Sequence, residues 1–302
     1  MSADALYEVV EVPARRTAAK ALVRALRPRQ WTKNLLLFAG IVFAAKLGDG
    51  TRWLEAGASF AAYCAASSAG YLVNDVMDRE ADRAHPVKRL RPVASGALAP
   101  RSAYTAAGLL FAASIALGLP LGIRFLGLLI LYSALQGGYS LRLKHVVLID
   151  VFTIAALFVV RAAAGAEAVR VRISPWLLLC TGLLALFLAL AKRRGELVLV
   201  QSAETPGRRV LEGYSLPLID QLVTVVASAT IVSYALYTFT ARDSHTMMIT
   251  IPYVVFGIFR YLLLLHRQGV GEEPDQVLVT DVPILAAVAL FGLTCAAILA
   301  AS

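Results

Sequence analysis

The chain has 302 residues, 59% of them hydrophobic and only 16% charged, with a formal net charge of +9 and a mean hydropathy of +0.70. That balance excludes an ordinary soluble domain and a disordered chain, both of which carry more charge and less apolar surface. Lipid admits only helices or closed barrels, and no barrel-type alternation is present, so the fold class is all-α integral membrane.

Residues 1–14 form a polar tail, and Arg15 to Arg27 predicts a basic amphipathic helix. Leu22, Val23 and Leu26 form its apolar side; Arg15, Arg16, Lys20, Arg24 and Arg27 form the other, which suits a cytoplasmic membrane surface. The first apolar run starts only at Leu35, too late for a cleaved signal peptide. Residues 1–33 are thus a cytoplasmic tail and interfacial helix, and 34–302 a single transmembrane helical domain. Trp31, in the segment ending Thr32-Lys33-Asn34, sits at headgroup depth, where it serves either as an anchor or as part of a site.

Apolar runs of about 17 to 25 residues predict a bundle of about nine transmembrane helices. They lie near 34–48, 53–74, 102–119, 121–138, 147–168, 174–191, 220–241, 247–265 and 282–301, the third and fourth parted by little more than a Pro-Gly corner. With the N-terminus inside, only Lys46, Arg52, Arg124, Arg170, Arg172 and Arg242 of the 29 Lys and Arg residues fall outside, while Arg161 and Arg260 lie within spans. This bias places the stretch Asp75–Asp82 on the cytoplasmic side; the expectation is a multi-pass protein of the plasma (inner) membrane with a polar cavity facing the cytoplasm. The positive surplus therefore reflects topology, anionic membrane lipids and an anionic substrate, with no nucleic-acid partner.

The second span runs into Asn74-Asp75-Val76-Met77-Asp78-Arg79-Glu80-Ala81-Asp82. On a helix, Asp75, Asp78 and Asp82 fall within an arc of roughly 60°. Crowded carboxylates require a positive charge among them. A hard cation with oxygen ligands, Mg²⁺, suits Asp75, Asp78, Asp82 and Asn74, and it commonly carries substrate phosphates. Tyr71, Ser68 and Ser67 continue the same face, so the stripe points into protein. The bland alternative is a solvated helix end beside Arg79 and Arg83.

The helix must stop by His85, ahead of Pro86. The next loop sets Lys88, Arg89 and Arg91 near the acids, where Lys88 and Arg91 would meet phosphate. A short basic connection, Tyr139-Ser140-Leu141-Arg142-Leu143-Lys144, follows the fourth span on the same side. Asp150 and Arg161 share a face of the fifth span, as pathway charges or as an interfacial cap and a snorkelling side chain. The sixth span ends in Lys192-Arg193-Arg194-Gly195-Glu196, with Lys192 and Glu196 at i,i+4 spacing. Two such clusters would face one cavity. Gly207-Arg208-Arg209 is a turn, and Glu272-Glu273-Pro274-Asp275 a solvated acidic loop. Cys64, Cys180 and Cys295 are isolated apolar residues. His85, His145, His245 and His266 lack metal-ligand spacing, which leaves no zinc site.

Asn74-Asp75-x-x-Asp78-x-x-x-Asp82 with Arg91-Pro92-Val93-Ala94-Ser95-Gly96 resembles the first signature of the UbiA superfamily of intramembrane prenyltransferases. Tyr139-Ser140 with Lys144 is similar to that family's next patch. Family members commonly carry a second aspartate-rich motif after the sixth span; here three bases and one acid stand there instead. That departure, with Trp31-Thr32-Lys33-Asn34, resembles the branch that makes decaprenylphosphoryl-5-phosphoribose. The resemblance implies phosphoribosyl diphosphate as donor, a polyprenyl (decaprenyl) phosphate as acceptor, and Mg²⁺. It implies that Asp75, Asp78 and Asp82 act catalytically, and that Asn74, Lys88, Arg91, Tyr139, Lys144, Lys192, Arg193 and Glu196 bind substrate. An aromatic-acceptor prenyltransferase and a membrane transporter are the competing readings. Association into a homo-oligomer stays open.

Overall fold

A computed structural model of the chain describes residues 18–43, 48–84, 87–203, 209–240, 245–267, 277 and 280–301. Residues 1–14, Arg15, Arg16, Lys46, His85, Gly207, Arg208, Arg242 and the acidic loop 272–275 lie outside that set. The described residues are helical or irregular, without a strand. Among the described residues five helices are long and apolar enough to cross a membrane: Pro100–Leu121, Ile149–Ala168, Pro175–Gln201, Leu216–Thr240 and His245–Arg267.

Two compact units form, one from Met1–Lys33 with Ala62–Ala116, the other from Asn34–Ala61 with Leu117–Ser302. The first holds α1 (Ala18–Ala25), the later part of α3 (Gly50–Met77), α4 (Arg79–Ala84) and most of α5 (Pro100–Gly118), while α2 (Ala39–Phe43) belongs to the other unit. Its core is built largely of small side chains, Ala21, Ala25, Ala69, Ala103 and Ala107, around Leu72, Val93 and Leu98. Small residues let helices approach closely, which is the main source of packing energy where lipid removes the hydrophobic drive. The expected apolar side of α1 is corrected here: Ala21 and Ala25 are buried, Leu22 and Leu26 pack partly, and Val23 is 56% exposed. Alanine has too little apolar surface to mark the buried face by hydrophobicity alone.

The second unit begins at Asn34, part-way along a 3₁₀ segment, Pro28–Phe38, that leads into a five-residue helix, α2 (Ala39–Phe43). The expected first span, 34–48, is thus no continuous α-helix. Then come α6 (Ile123–Leu141), α7 (Ile149–Ala168), α8 (Pro175–Ala203), α9 (Leu216–Thr240), α10 (Ile251–Arg267) and α11 (Val282–Ala301). The expected Pro-Gly corner before α6 is a 3₁₀ turn, Leu119–Leu121, closed by Gly122 at φ 101°. A side chain there would clash with its own backbone. The spanning window of α7 is 61% buried, against 22–33% for the other four candidates, which makes α7 the central helix of this unit. Apolar residues of α8 to α11, among them Phe187, Ile219, Tyr261 and Ile284, form the larger core, with Phe187 and Tyr261 edge to face at 5.4 Å.

Charges within this unit are matched locally. Arg260 of α10 donates to Asp281 at 2.9 and 3.3 Å. Asp281 also accepts the Ile284 N–H, capping α11, and the guanidinium holds its carboxyl below the usual range.

α2 lies against α7 through two glycines. A Cβ on Gly165 would fall 2.2 Å from the Leu37 carbonyl oxygen, and one on Gly40 2.8 Å from the Ala166 Cα. Backbone cannot yield as a flexible side chain can. Gly165→Ala should therefore lower stability by about 1–3 kcal/mol, read as a thermal melt in detergent. Gly257→Ala, whose added Cβ meets nothing within 4 Å, should leave the melt unchanged or raise it.

Candidate active site

The polar end of the first unit begins where α3 stops at Met77. Asp78 N–H donates to the Asn74 carbonyl at 2.9 Å and Asp82 N–H to the Asp78 carbonyl at 2.8 Å, so the helical path continues into α4. The expected helical spacing of the three aspartates is preserved. Asp75 and Asp82 are 1% and 4% exposed, and Asp78 is half-buried. Asn74 Nδ2 donates to Asp78 Oδ2 at 3.1 Å.

Two arginines supply the positive charge that the carboxylates demand. Arg91, at the end of the 3₁₀ turn Lys88–Leu90, bridges Asp82 Oδ2 at 2.7 Å and Asp75 Oδ1 at 3.4 Å. Lys88 is half-buried in the same turn. Arg27 Nη2 donates to Asp75 Oδ1, and its guanidinium stands 4.9 Å from the Tyr71 ring centroid. Arg27 was expected on a membrane-facing surface. It instead adopts φ 54° just past α1 and turns inward. Pro28 was the available signal, because a helix rarely continues up to the residue before proline. Ser67 and Ser68 are buried, as the polar stripe implied; Ser68 Oγ accepts from Trp31 Nε1 and donates to the Leu26 carbonyl, both at 3.0 Å. Trp31 is therefore tied to α3.

The aspartates offer anionic oxygen donors, the ligand type that a hard divalent cation prefers. Among the described residues no three His, Cys, Asp or Glu side chains converge at metal-holding distance. Arg27 and Arg91 take carboxylate oxygens that such an ion would use.

In the second unit the organising group is Asp150, fully buried at the start of α7. It accepts from Arg193 Nε at 2.6 Å and from Tyr214 Oη at 2.9 Å. The Tyr214 oxygen accepts the N–H of Leu148, a left-handed residue at φ 66°, at 2.8 Å. Arg193, 1% exposed, also donates to Glu196 and, at 3.2 Å, to the Tyr139 hydroxyl at the end of α6. Arg194 meets Asp220 at 2.6 Å and the Leu265 carbonyl at 3.0 Å.

The three bases thus lie inside α8, not after it, and α8 continues to Ala203. Acids from other helices balance Arg193 and Arg194. Lys192 is half-buried on α8, and Lys144 half-buried in the 3₁₀ turn Leu143–His145. Asp150 and Arg161 join separate networks: Arg161 donates to Asn34 Oδ1 at 2.9 Å and Tyr132 Oη at 2.8 Å, over the Tyr132 and Phe158 rings. Asn34, Tyr132 and Tyr214 gave no separate sequence signal as partners, since each partner lies many residues away.

The sequence profile of the UbiA prenyltransferase family matches residues 35–275. A decaprenyl-phosphate phosphoribosyltransferase of Mycolicibacterium smegmatis is 34% identical over 275 residues, 86% of this chain and 86% of its own. One of the same name from Corynebacterium glutamicum is 34% identical over 287 residues, 92% of this chain and 86% of its own. Among solved structures, a UbiA homolog from Archaeoglobus fulgidus bound to GPP and Mg²⁺ has a TM-score of 0.73 at 18% identity, covering 93% of this chain and 99% of that one. That likeness shows the fold.

Removing one partner of a buried ion pair strands the other charge, at about 3–5 kcal/mol. Asp150→Ala should cost that much in a detergent thermal melt, whereas Tyr214→Phe, losing two hydrogen bonds, should cost about 1–3 kcal/mol.

Proposed function

The chain belongs to the UbiA prenyltransferase family, and on that premise we propose that it transfers a 5-phosphoribosyl group from phosphoribosyl diphosphate to decaprenyl phosphate or a similar polyprenyl phosphate, releasing pyrophosphate. The observation that carries this reading is the 34% identity to decaprenyl-phosphate phosphoribosyltransferases across 86% and 92% of the chain. The product would feed cell-wall arabinan synthesis. We read residues 34–302 as a single catalytic domain of about nine membrane crossings in the plasma membrane, its polar cavity opening to the cytoplasm; the positive-inside charge bias supports that orientation.

In this reading Asp75, Asp78 and Asp82, with Asn74, would hold Mg²⁺, which when bound neutralises charge on the departing diphosphate. Arg91 keeps Asp75 and Asp82 oriented together, and Arg27 holds Asp75 from the other side of the sequence. Lys88 and Arg91 bind diphosphate oxygens. The C1–O bond to pyrophosphate breaks with its electron pair leaving on pyrophosphate. A lipid phosphate oxygen bonds to C1 from the opposite face, inverting the anomeric carbon. That oxygen is already anionic, so no strong general base is required. In the second unit Lys144 and Lys192 are assigned to substrate phosphates and Tyr139 to a ribose or phosphate oxygen. Arg193, enclosed by Asp150 and Glu196, orients Tyr139.

Membrane preparations supplied with labelled phosphoribosyl diphosphate and polyprenyl phosphate should form a phosphoribosyl lipid. Product only from prenyl diphosphate with 4-hydroxybenzoate would overturn the assignment in favour of an aromatic prenyltransferase. Asp78→Ala should lower turnover by roughly 100-fold or more while the protein still inserts; full activity in that variant would remove the carboxylates from the site.

A further inference from the structure

Arg79 opens α4, one residue beyond Asp78. The arginines around it have acidic partners: Arg27 on Asp75, Arg91 on Asp75 and Asp82, and Arg83 on Glu80. Arg89 is exposed to solvent. Arg79 is half-buried, and its Nε is fully buried with no hydrogen-bond partner among the described residues. The nearby acids are already engaged, since Arg27 and Arg91 hold Asp75 and Asp82, and Asn74 donates to Asp78. A buried charged donor without an acceptor is costly. An anionic oxygen is the strongest acceptor for such a donor, and a guanidinium fork matches a phosphate.

Resting on the function proposed above, we propose that Arg79 binds a phosphate monoester of the substrate pair, separate from the diphosphate that leaves. Two groups share that chemistry, the 5-phosphate of the donor and the phosphate of the lipid acceptor. Both are dianionic near neutral pH and expose three oxygens to a planar donor. In the first unit Lys88 and Arg91 are assigned to the diphosphate, and Arg79 adds a cation there for a phosphate monoester.

The test uses the full chain in detergent with Arg79→Gln and Arg79→Lys. KM and kcat are measured for phosphoribosyl diphosphate, for ribosyl diphosphate lacking the 5-phosphate, and for farnesyl phosphate as a short acceptor. Arg79→Gln should raise one KM about tenfold or more with kcat changed less than about threefold, and Arg79→Lys should recover part of the loss. A rise for phosphoribosyl diphosphate but not for its dephosphorylated analogue assigns Arg79 to the 5-phosphate; a rise for farnesyl phosphate alone assigns it to the acceptor. Unchanged KM values, or a loss confined to kcat, overturn the proposal while leaving the reaction in place. Wild-type protein that forms no phosphoribosyl lipid overturns the reaction and this inference together. If Arg79→Gln fails to insert, the same KM comparison on Arg79→Lys decides, because it keeps the charge and removes the fork.

Discussion

A carboxylate shut away from water persists only with a cation against it. Asp75, 1% exposed, meets that condition twice, through Arg27 and Arg91. The rest of the first unit follows from this requirement. Arg27 must leave the α1 surface, so the chain turns at φ 54° before Pro28. Arg91 must return from the loop, and Arg83 fastens that loop through its Nε to the Ala94 carbonyl at 3.1 Å. Ser68 and Trp31 then bind the segment after α1 to α3. An alanine-rich core lets these helices come close enough for side chains of ordinary length to meet.

The second unit solves the same problem with different partners. Arg193 is closed between Asp150 and Glu196, and Tyr214 joins Asp150 to the backbone at Leu148. Arg161 is instead satisfied by neutral acceptors and two aromatic faces. Its guanidinium, delocalised and weakly hydrated, tolerates that setting better than a lysine ammonium would. Two of this unit's buried charges, Asp150 and Arg161, thus lie on α7, the most buried of its membrane-length helices.

What was legible in the sequence was whatever depends on local periodicity. The spacing of Asp75, Asp78 and Asp82, the inward face of Ser67 and Ser68, and the Pro-Gly corner at 120–122 could be read because each is set within a few residues. The family resemblance rested on the same local motifs. What was not legible depends on contacts distant in sequence. Asp150 lies 43 positions from Arg193 and Asp220 26 positions from Arg194, so a run of bases looked like an open anion cradle when two of its members already have acids. The apolar run after Asn34 matched a spanning helix in composition, yet Gly40 and Gly165 draw it so close to α7 that a short 3₁₀ and α path forms instead.

α8 has 29 residues, about 44 Å at 1.5 Å per residue, well beyond the roughly 30 Å of hydrocarbon in a bilayer. Lys192, Arg193, Arg194 and Glu196 therefore ride on a rigid rod whose rotation is set from Pro175 onward. Inserting or deleting one residue before position 192 would swing the whole group by about 100°, sending Arg193 out of its pocket and a neighbour into it. Length is thus a fixed quantity along this helix from Pro175 to Glu196.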